Sequence, residues 1–481
     1  MKLYHLYRGP VLAASLIATA ILAKSENAYF RSDLGLAKPS TKFLPATLDS
    51  TTLVWRSPLD RGQSTPVLAG GKIFLTTHNA ELRELATVAL DQETGKQLWK
   101  QSVKVEKIEE FHPSRGDAAV ATPACDGKRL FIFFGSYGLI CYDVEGNKLW
   151  DKRMGPFHDE YGAGSSPILV DDMVVLSQDH DTDSFVAAYD KVSGDERWRT
   201  ARPDAVRSYS TPVIWERSGK REILVAGALE LTSYDPKTGK RLWFKRGLAR
   251  IVIPLPIPSG DRIYMASWSP GGDRGLRIAL EPWGEALQKW DGDKDHLLVE
   301  KEIENREVLT RFFRMDLNKS GTLDQNEWER HAAVFERAEN AVLGLKPSAE
   351  GELPESDVLW KYEKGIPYVA TPVLSKGLFW MAKDGGIVTR VDVSDGSALE
   401  RERLPGHGSY LASPVAGDGK VYFADDRGTV SVVADQREWK VLSSYNFKEK
   451  IHGSPVIDGE RLYIRTEEAL YSYRGLDRKS E

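Results

Sequence analysis

Short apolar runs, each opened by a proline and followed by a polar turn, recur along most of the chain. The opening unit is Ser/Thr-Pro followed by an apolar residue. It reads SerThrPro at 64–66, AlaThrPro at 121–123, SerSerPro at 165–167 and SerThrPro at 210–212. It returns as IlePro at 253–254, AlaThrPro at 370–372, AlaSerPro at 412–414 and GlySerPro at 453–455. Each leads to a β-rich run such as Lys72–Thr77, Arg129–Gly135, Met173–Gln178 or Lys420–Ala424. A second unit is a turn entering a strand that holds Trp: DQETGKQLW at 91–99, DVEGNKLW at 143–150, DKVSGDERW at 190–198 and DPKTGKRLW at 235–243. The Asp accepts backbone N–H groups and the Gly supplies positive φ, so this unit is a hairpin connector. Its Trp is expected to lie between adjacent sheets.

Successive motif prolines stand mostly 41 to 45 residues apart, with one gap of 57 and one of over 100 that marks an insertion. A period of about 42 with four short strands per period predicts an all-β fold, a β-propeller. The inner-strand unit occurs eight times, and an outer strand follows seven of them. The eighth runs out at Tyr473, while an orphan outer strand, Leu53-Val54-Trp55-Arg56, stands near the other end. Pairing the two closes the ring and removes exposed sheet edges. The expectation is eight blades, or seven if the first or fifth unit is not a full blade. Blades one to five and the closing strand occupy 53–281, an insertion 282–354, and the remaining blades 355–475.

The AspxxThrGly turn with its Trp, together with the SerPro-opened strand, resembles the pyrroloquinoline-quinone-type (PQQ-like) propeller repeat. That repeat occurs in quinoprotein dehydrogenases and in the propeller lipoprotein of outer-membrane protein assembly, so the resemblance is specific for fold and carries two functions. The quinoprotein alcohol dehydrogenases place a vicinal disulfide against the quinone. Here Cys125 and Cys141 are not adjacent and fall on the first and third strands of one blade. The assembly lipoprotein needs a lipid-modified Cys, which is missing after the N-terminal apolar run. The reading is therefore a binding or scaffold module. The alternative is a periplasmic quinoprotein-like or metal-dependent oxidoreductase, with pyrroloquinoline quinone as its cofactor in the first case.

In the insertion, helical spacing replaces the strand pattern through Ala286, Leu287 and Trp290, then Val308, Leu309, Phe312 and Phe313, then Trp328, Phe335, Ala338 and Val342. Between the second and third groups, DLNKSGTLDQNE at 316–327 matches the twelve-residue EF-hand calcium loop. Its oxygen ligands would be Asp316, Asn318, Ser320, the Thr322 carbonyl, Asp324 and bidentate Glu327, with Gly321 at the sharp turn. Hard oxygen donors at this spacing suit Ca²⁺. Upstream, DGDKDHLLVEKE at 291–302 is a degenerate copy that offers Asp291, Asp293, Asp295 and Glu302. His296 stands there where Gly is expected and Val299 cannot coordinate, so this loop is read as a structural partner binding calcium weakly or not at all. Leu298 and Leu323 occupy the positions through which two such loops pair.

Six propeller histidines, His78, His112, His158, His180, His407 and His452, map by topology to one face, where chains enter the inner strands and where second–third turns lie. Asp159, Asp181, Arg207, Arg250 and Tyr368 map there too. Propellers bind ligands where these entries converge on the axis. A polar funnel for an anionic or polyhydroxylated ligand, a metal or a partner peptide is expected, formed by His112, His158, Asp159, His180, Asp181, Arg207, Arg250, Tyr368, His407 and His452.

Composition adds exclusions. Lys+Arg 65 against Asp+Glu 70 leaves a net charge of −5, without the basic surplus of a nucleic-acid binder. Two cysteines exclude a disulfide scaffold and a Cys-based zinc site. Lys2 and Arg8 precede an apolar run from Val11 to Ala23, which is shorter than the ~20 residues of a spanning helix. Residues 1–23 therefore read as a signal peptide and 24–52 as an extended lead-in. The mature protein would be periplasmic or extracellular, with no integral membrane span.

Overall fold

A computed structural model describes residues 27–38, 43–112, 114–157, 161–217, 219–273 and 279–475. Eight antiparallel sheets follow one another in sequence, each with its strands in order from inside to outside. They cover residues 67–104, 124–153, 168–201, 213–246, 257–362, 373–403 and 415–446, and the eighth takes 456–474. The eighth sheet is completed by Leu53–Pro58, which pairs antiparallel with Ala469–Arg474 and places Arg56 opposite Tyr471. The ring therefore closes as an eight-bladed β-propeller through the orphan strand. Seven blades does not hold, because both the first and the fifth units build full sheets. The residues read as a signal peptide, 1–23, lie outside the described residues.

Two details of the sequence reading are corrected. The fifth strand-opening unit is Leu255-Pro256 rather than Ile253-Pro254. The inner strand there is Ile257–Ser259, paired in the register Ile257 to Tyr264, and a strand starts directly after its motif proline. The second correction concerns the insertion, which interrupts blade five between Arg262–Ser267 and Ala341–Leu345. Residues 341–345 had been placed inside it, yet they form the third strand of the blade. All five are buried, so the run has no polar face and its apolar spacing mimics a helix. The last helix stops at Arg337, and Ala338 has already turned extended. Farther along, Gly351–Glu352 adds a parallel fifth strand to the outer edge of blade four.

The Trp-bearing turns act as clasps between blades. Asp91 accepts the Thr94 amide at 2.8 Å and its hydroxyl at 2.6 Å, which holds the Asp carboxyl below its ordinary pKa. Each clasp Trp donates its indole N–H to a carbonyl in the next blade's turn: Trp55 to Gln92, Trp99 to Val144, Trp150 to Lys191, Trp198 to Pro236 and Trp360 to Val393. The ring then lies flat against the turn glycine. Blade five has no such turn, and Trp243 of blade four bonds Glu222 instead. At Gly194, φ is +77° and a Cβ would come 2.8 Å from the Trp150 ring. Gly194→Ala is therefore expected to cost about 2 kcal/mol, from the left-handed backbone and the overlap together. Calorimetry reads this as a lowered melting temperature, whereas a change at the open Gly70, where a Cβ meets nothing, should lose only the backbone part. Cys125 and Cys141 are buried, free thiols.

Candidate functional site

The residues before each motif proline converge on the axis. One position before the proline, the eight blades supply Thr65, Thr122, Ser166, Thr211, Leu255, Thr371, Ser413 and Ser454. Three positions before it, they supply Gln63, Val120, Gly164, Tyr209, Ile253, Val369, Leu411 and His452. Extended chain points alternate residues the same way, so the two sets form two stacked rings around one cavity of about 150 Å³. Phe30, from the N-terminal segment, also lines this well.

The lower ring is a closed circuit with one gap. The Thr65 amide donates to Thr122 Oγ1 at 3.0 Å, Thr122 to Ser166 at 2.9 Å and Ser166 to Thr211 at 3.0 Å. Leu255 donates to Thr371, Thr371 to Ser413, Ser413 to Ser454 and Ser454 to Thr65, at 2.9–3.1 Å. Leu255 has no hydroxyl to receive the bond from Thr211. The Ser/Thr of the motif thus stitches blade to blade. This role was missed in the sequence, although its signal was there in the residues one and three before each proline.

Of the expected funnel residues, the structure brings His452 and Tyr368 to the well, beside Arg115 and Tyr161. His112 stacks on Tyr161 at 5.5 Å between centroids. His158 and Asp159 lie outside the described residues. The others do not join the well. His180 is buried inside blade three and stacked on Phe157 at 4.0 Å. Asp181 is buried and takes Arg207 as a two-pronged ion pair at 2.6 and 2.5 Å. His78 is buried 3.5 Å from Asp117, which also binds Arg61 at 2.9 Å. His407 is exposed. Arg207 and Arg250 face the insertion across a small cavity of about 20 Å³ shared with Arg314, Glu327 and His331. Burial and these arginines push the His331 pKa down to about 3.

The insertion has its own core of Trp283, Trp290, Phe312, Met315 and Trp328. Its helices are α1 (Trp283–Trp290), α2 (Arg306–Leu309), α3 (Phe312–Met315) and α4 (Gln325–Arg337). The stretch expected to hold one intervening helix is thus split in two. In loop 316–327, Asp316 accepts the amides of Ser320 at 2.9 Å and Gly321 at 2.8 Å, and Gly321 has φ +82°. Buried Glu327 accepts the amides of Leu317 and Asn318, and it forms a capping box with Asp324 at the start of α4. In loop 291–302, His296 takes φ +64° and donates its amide to Asp291 at 3.1 Å. Leu298–Val299 and Thr322–Leu323 join the two loops in a short antiparallel pair. Oxygens of Asp291, Asp293 and Glu302 lie within 4.8 Å of one another. The loop ranked weaker from sequence therefore has the closer carboxylates, while Asp295 stays outside that cluster. Lys319 of the other loop reaches the propeller at Glu110, at 2.6 Å.

Residues 84–250 match the family described as outer membrane protein assembly factor BamB. The chain is a PQQ-like repeat β-propeller. No curated protein matches it. Among solved structures, this PQQ-like propeller is similar to BamB from Moraxella catarrhalis, at 13% identity and a TM-score of 0.56, over 88% of this chain and 99% of that one. It is also similar to a europium-containing methanol dehydrogenase, at 12% identity and a TM-score of 0.55, over 92% and 96%. The computationally designed Ika8 protein matches at 9% identity and a TM-score of 0.52, over 88% and 99%. At these identities the likeness carries the fold. No described helix of the PQQ-like propeller is long and apolar enough to cross a membrane.

Proposed function

We propose that this PQQ-like propeller is an exported, calcium-stabilised binding and scaffold module whose ligand or partner engages the axial well. The observation that carries the reading is the well itself: two rings of residues, one from each blade at each level, with Arg115, Tyr161 and Tyr368 beside them. Export rests on the N-terminal run, with residues 1–23 as the signal peptide and a periplasmic or extracellular mature protein. It accords with the kinship to a family described as an outer-membrane assembly factor. The insertion, 282–354 in the sequence reading and ending before the blade strand Ala341–Leu345, would be the calcium module.

Calcium would be held in loop 316–327 by Asp316, Asn318, Ser320, the Thr322 carbonyl, Asp324 and Glu327, with loop 291–302 as its partner. The turn at Gly321 and the pairing of the two loops support this. Burial raises the Glu327 pKa above its ordinary value, and a bound cation would relieve that cost. At a calcium concentration a hundred times Kd, binding adds about 2.7 kcal/mol. Glu327→Gln should abolish this calcium-dependent rise in melting temperature and leave the melt in chelator nearly unchanged. If wild type melts identically with calcium and with chelator, the calcium reading is wrong.

An oxidoreductase built on pyrroloquinoline quinone is the competing reading. The quinone carries three carboxylates, but among the described lining residues Arg115 is the one cation and no carboxylate is present to hold an accompanying metal. The residues present do not fit it. Incubation with the quinone and Ca²⁺, followed by dye-reduction assay, is expected to give no bound chromophore and no turnover.

A further inference from the structure

The well is lined by donors beyond what the fold requires. Each of the seven ring hydroxyls accepts one amide from the neighbouring blade, and none donates its proton to another described group, which leaves seven hydroxyl protons for a ligand in the well. Above them, His452 adds a donor whose identity the network fixes. Gln63 Nε2 donates to the Gly116 carbonyl at 3.3 Å and therefore also presents an amide hydrogen to His452 Nδ1, at 3.0 Å. Nδ1 is then an acceptor, and the ring carries its proton on Nε2. That Nε2 is buried, without a hydrogen-bond partner, in a residue lining the well.

The described lining adds one cation, Arg115, while Glu467 lies 3.8 Å from His452 Nδ1 on the other side of that ring. Arg31, the chain neighbour of Phe30, is buried outside the lining of the well, and its guanidinium donates to the carbonyls of Leu34, Pro372 and Pro414. Arg465 is buried beside the ring and is held by Ser64 and the Thr76 carbonyl. Among the described residues neither has a carboxylate at ion-pair distance, and Asp33 and Asp117 respectively act on them from farther away. Burial lowers both guanidinium pKa values to about 10. The donors surround a space that, at 10–15 Å³ per water-sized group, holds about ten such groups. Ile253, Val369 and Leu411, from three consecutive blades, make one side of the upper ring apolar.

We propose that the axial well binds a small carboxylate, with the acid group among the ring hydroxyls and beneath His452 Nε2 and the apolar body against Ile253, Val369 and Leu411. This rests on the reading of the well as the ligand site and names the chemical class. The carboxylate can belong to a free acid or to the C-terminus of a partner chain.

Titration calorimetry of the full chain with hexanoate and with hexanamide separates charge from shape. Hexanoate should bind at least tenfold more tightly than the amide, and His452→Phe and Thr122→Val should each weaken it tenfold or more. The comparison of acid with amide in wild type needs no variant, so a misfolded mutant does not shield the proposal. A tripeptide with a free C-terminus that outbinds both its amidated form and hexanoate assigns the carboxylate to a partner chain. Equal binding of acid and amide overturns the carboxylate class and leaves the well as a ligand site. If neither small molecule nor either peptide binds, the proposal and the reading of the well fall together.

Discussion

Trp55→Ala should lower stability by about 3 kcal/mol, the lower end of the cost of truncating a packed Trp, and make the protein prone to associate through its sheet edges. Trp55 lies on the closing strand. Its ring meets Tyr463 at 6.0 Å, donates to the Gln92 carbonyl at 3.3 Å and lies against Gly95 of blade one. The matching change at Trp99 removes a similar bond, to Val144, and a similar seat, on Gly146. In blade one, however, the strand that carries the Trp follows its paired neighbour directly in the chain, whereas in blade eight it comes from the other end of the sequence and pairs with Ala469–Arg474. Loosening it frees the outer edge of Ala469–Arg474, a template for pairing with another chain. Denaturant unfolding monitored with light scattering checks this: Trp55→Ala should lose as much stability as Trp99→Ala or more, and it alone should scatter. Equal, non-aggregating losses would mean that closure is carried elsewhere, for instance by the lead-in around Leu44 and Leu48, which joins the core of blades seven and eight.

The ring itself was legible because a propeller writes each blade as a local motif. Asp91, Gly95 and Trp99 lie within one turn and strand, and the turn's bonds are short-range. The orphan strand at Leu53 was legible by counting. The insertion's end was not, because Ala341–Leu345 is covered on both sides, and a run without a polar face carries no period. The site was legible only in part. Topology gives the end of the blade at which a residue lies but not its distance from the axis, so His180, Asp181 and His78 were assigned to the right face and yet lie inside blades. His452 and Tyr368 reach the axis because they belong to connections that enter inner strands. Gln63, Val120 and Ile253 share a position in the repeat but no chemistry, so no motif could gather them before the ring was closed.

Trp328→Ala should unfold the insertion and spare the propeller. Trp328 is 1% exposed, sits 5.9 Å from Trp283 and 5.8 Å from Trp290, and donates its indole N–H to the Glu281 carbonyl at 2.9 Å. Replacing such a Trp costs about 3–5 kcal/mol, and a core as small as this one rarely supplies more than that in total. The blade that carries the insertion can tolerate its loss. Blade five then holds a long flexible loop between Arg262–Ser267 and Ala341–Leu345, and each doubling of loop length costs only about 0.6 kcal/mol. Going from a tight turn to about seventy residues takes roughly four doublings, on the order of 2.5 kcal/mol, spread over a sheet closed by seven others. Hydrogen exchange should therefore show lost protection in residues 283–337 with the blade strands still protected, and the calcium-dependent rise in melting temperature should vanish with it. Loss of protection throughout blade five would show that the insertion is a structural part of the ring, seated through Lys319 and Glu110 and through the seam at Arg207 and Arg250, rather than a module carried by it.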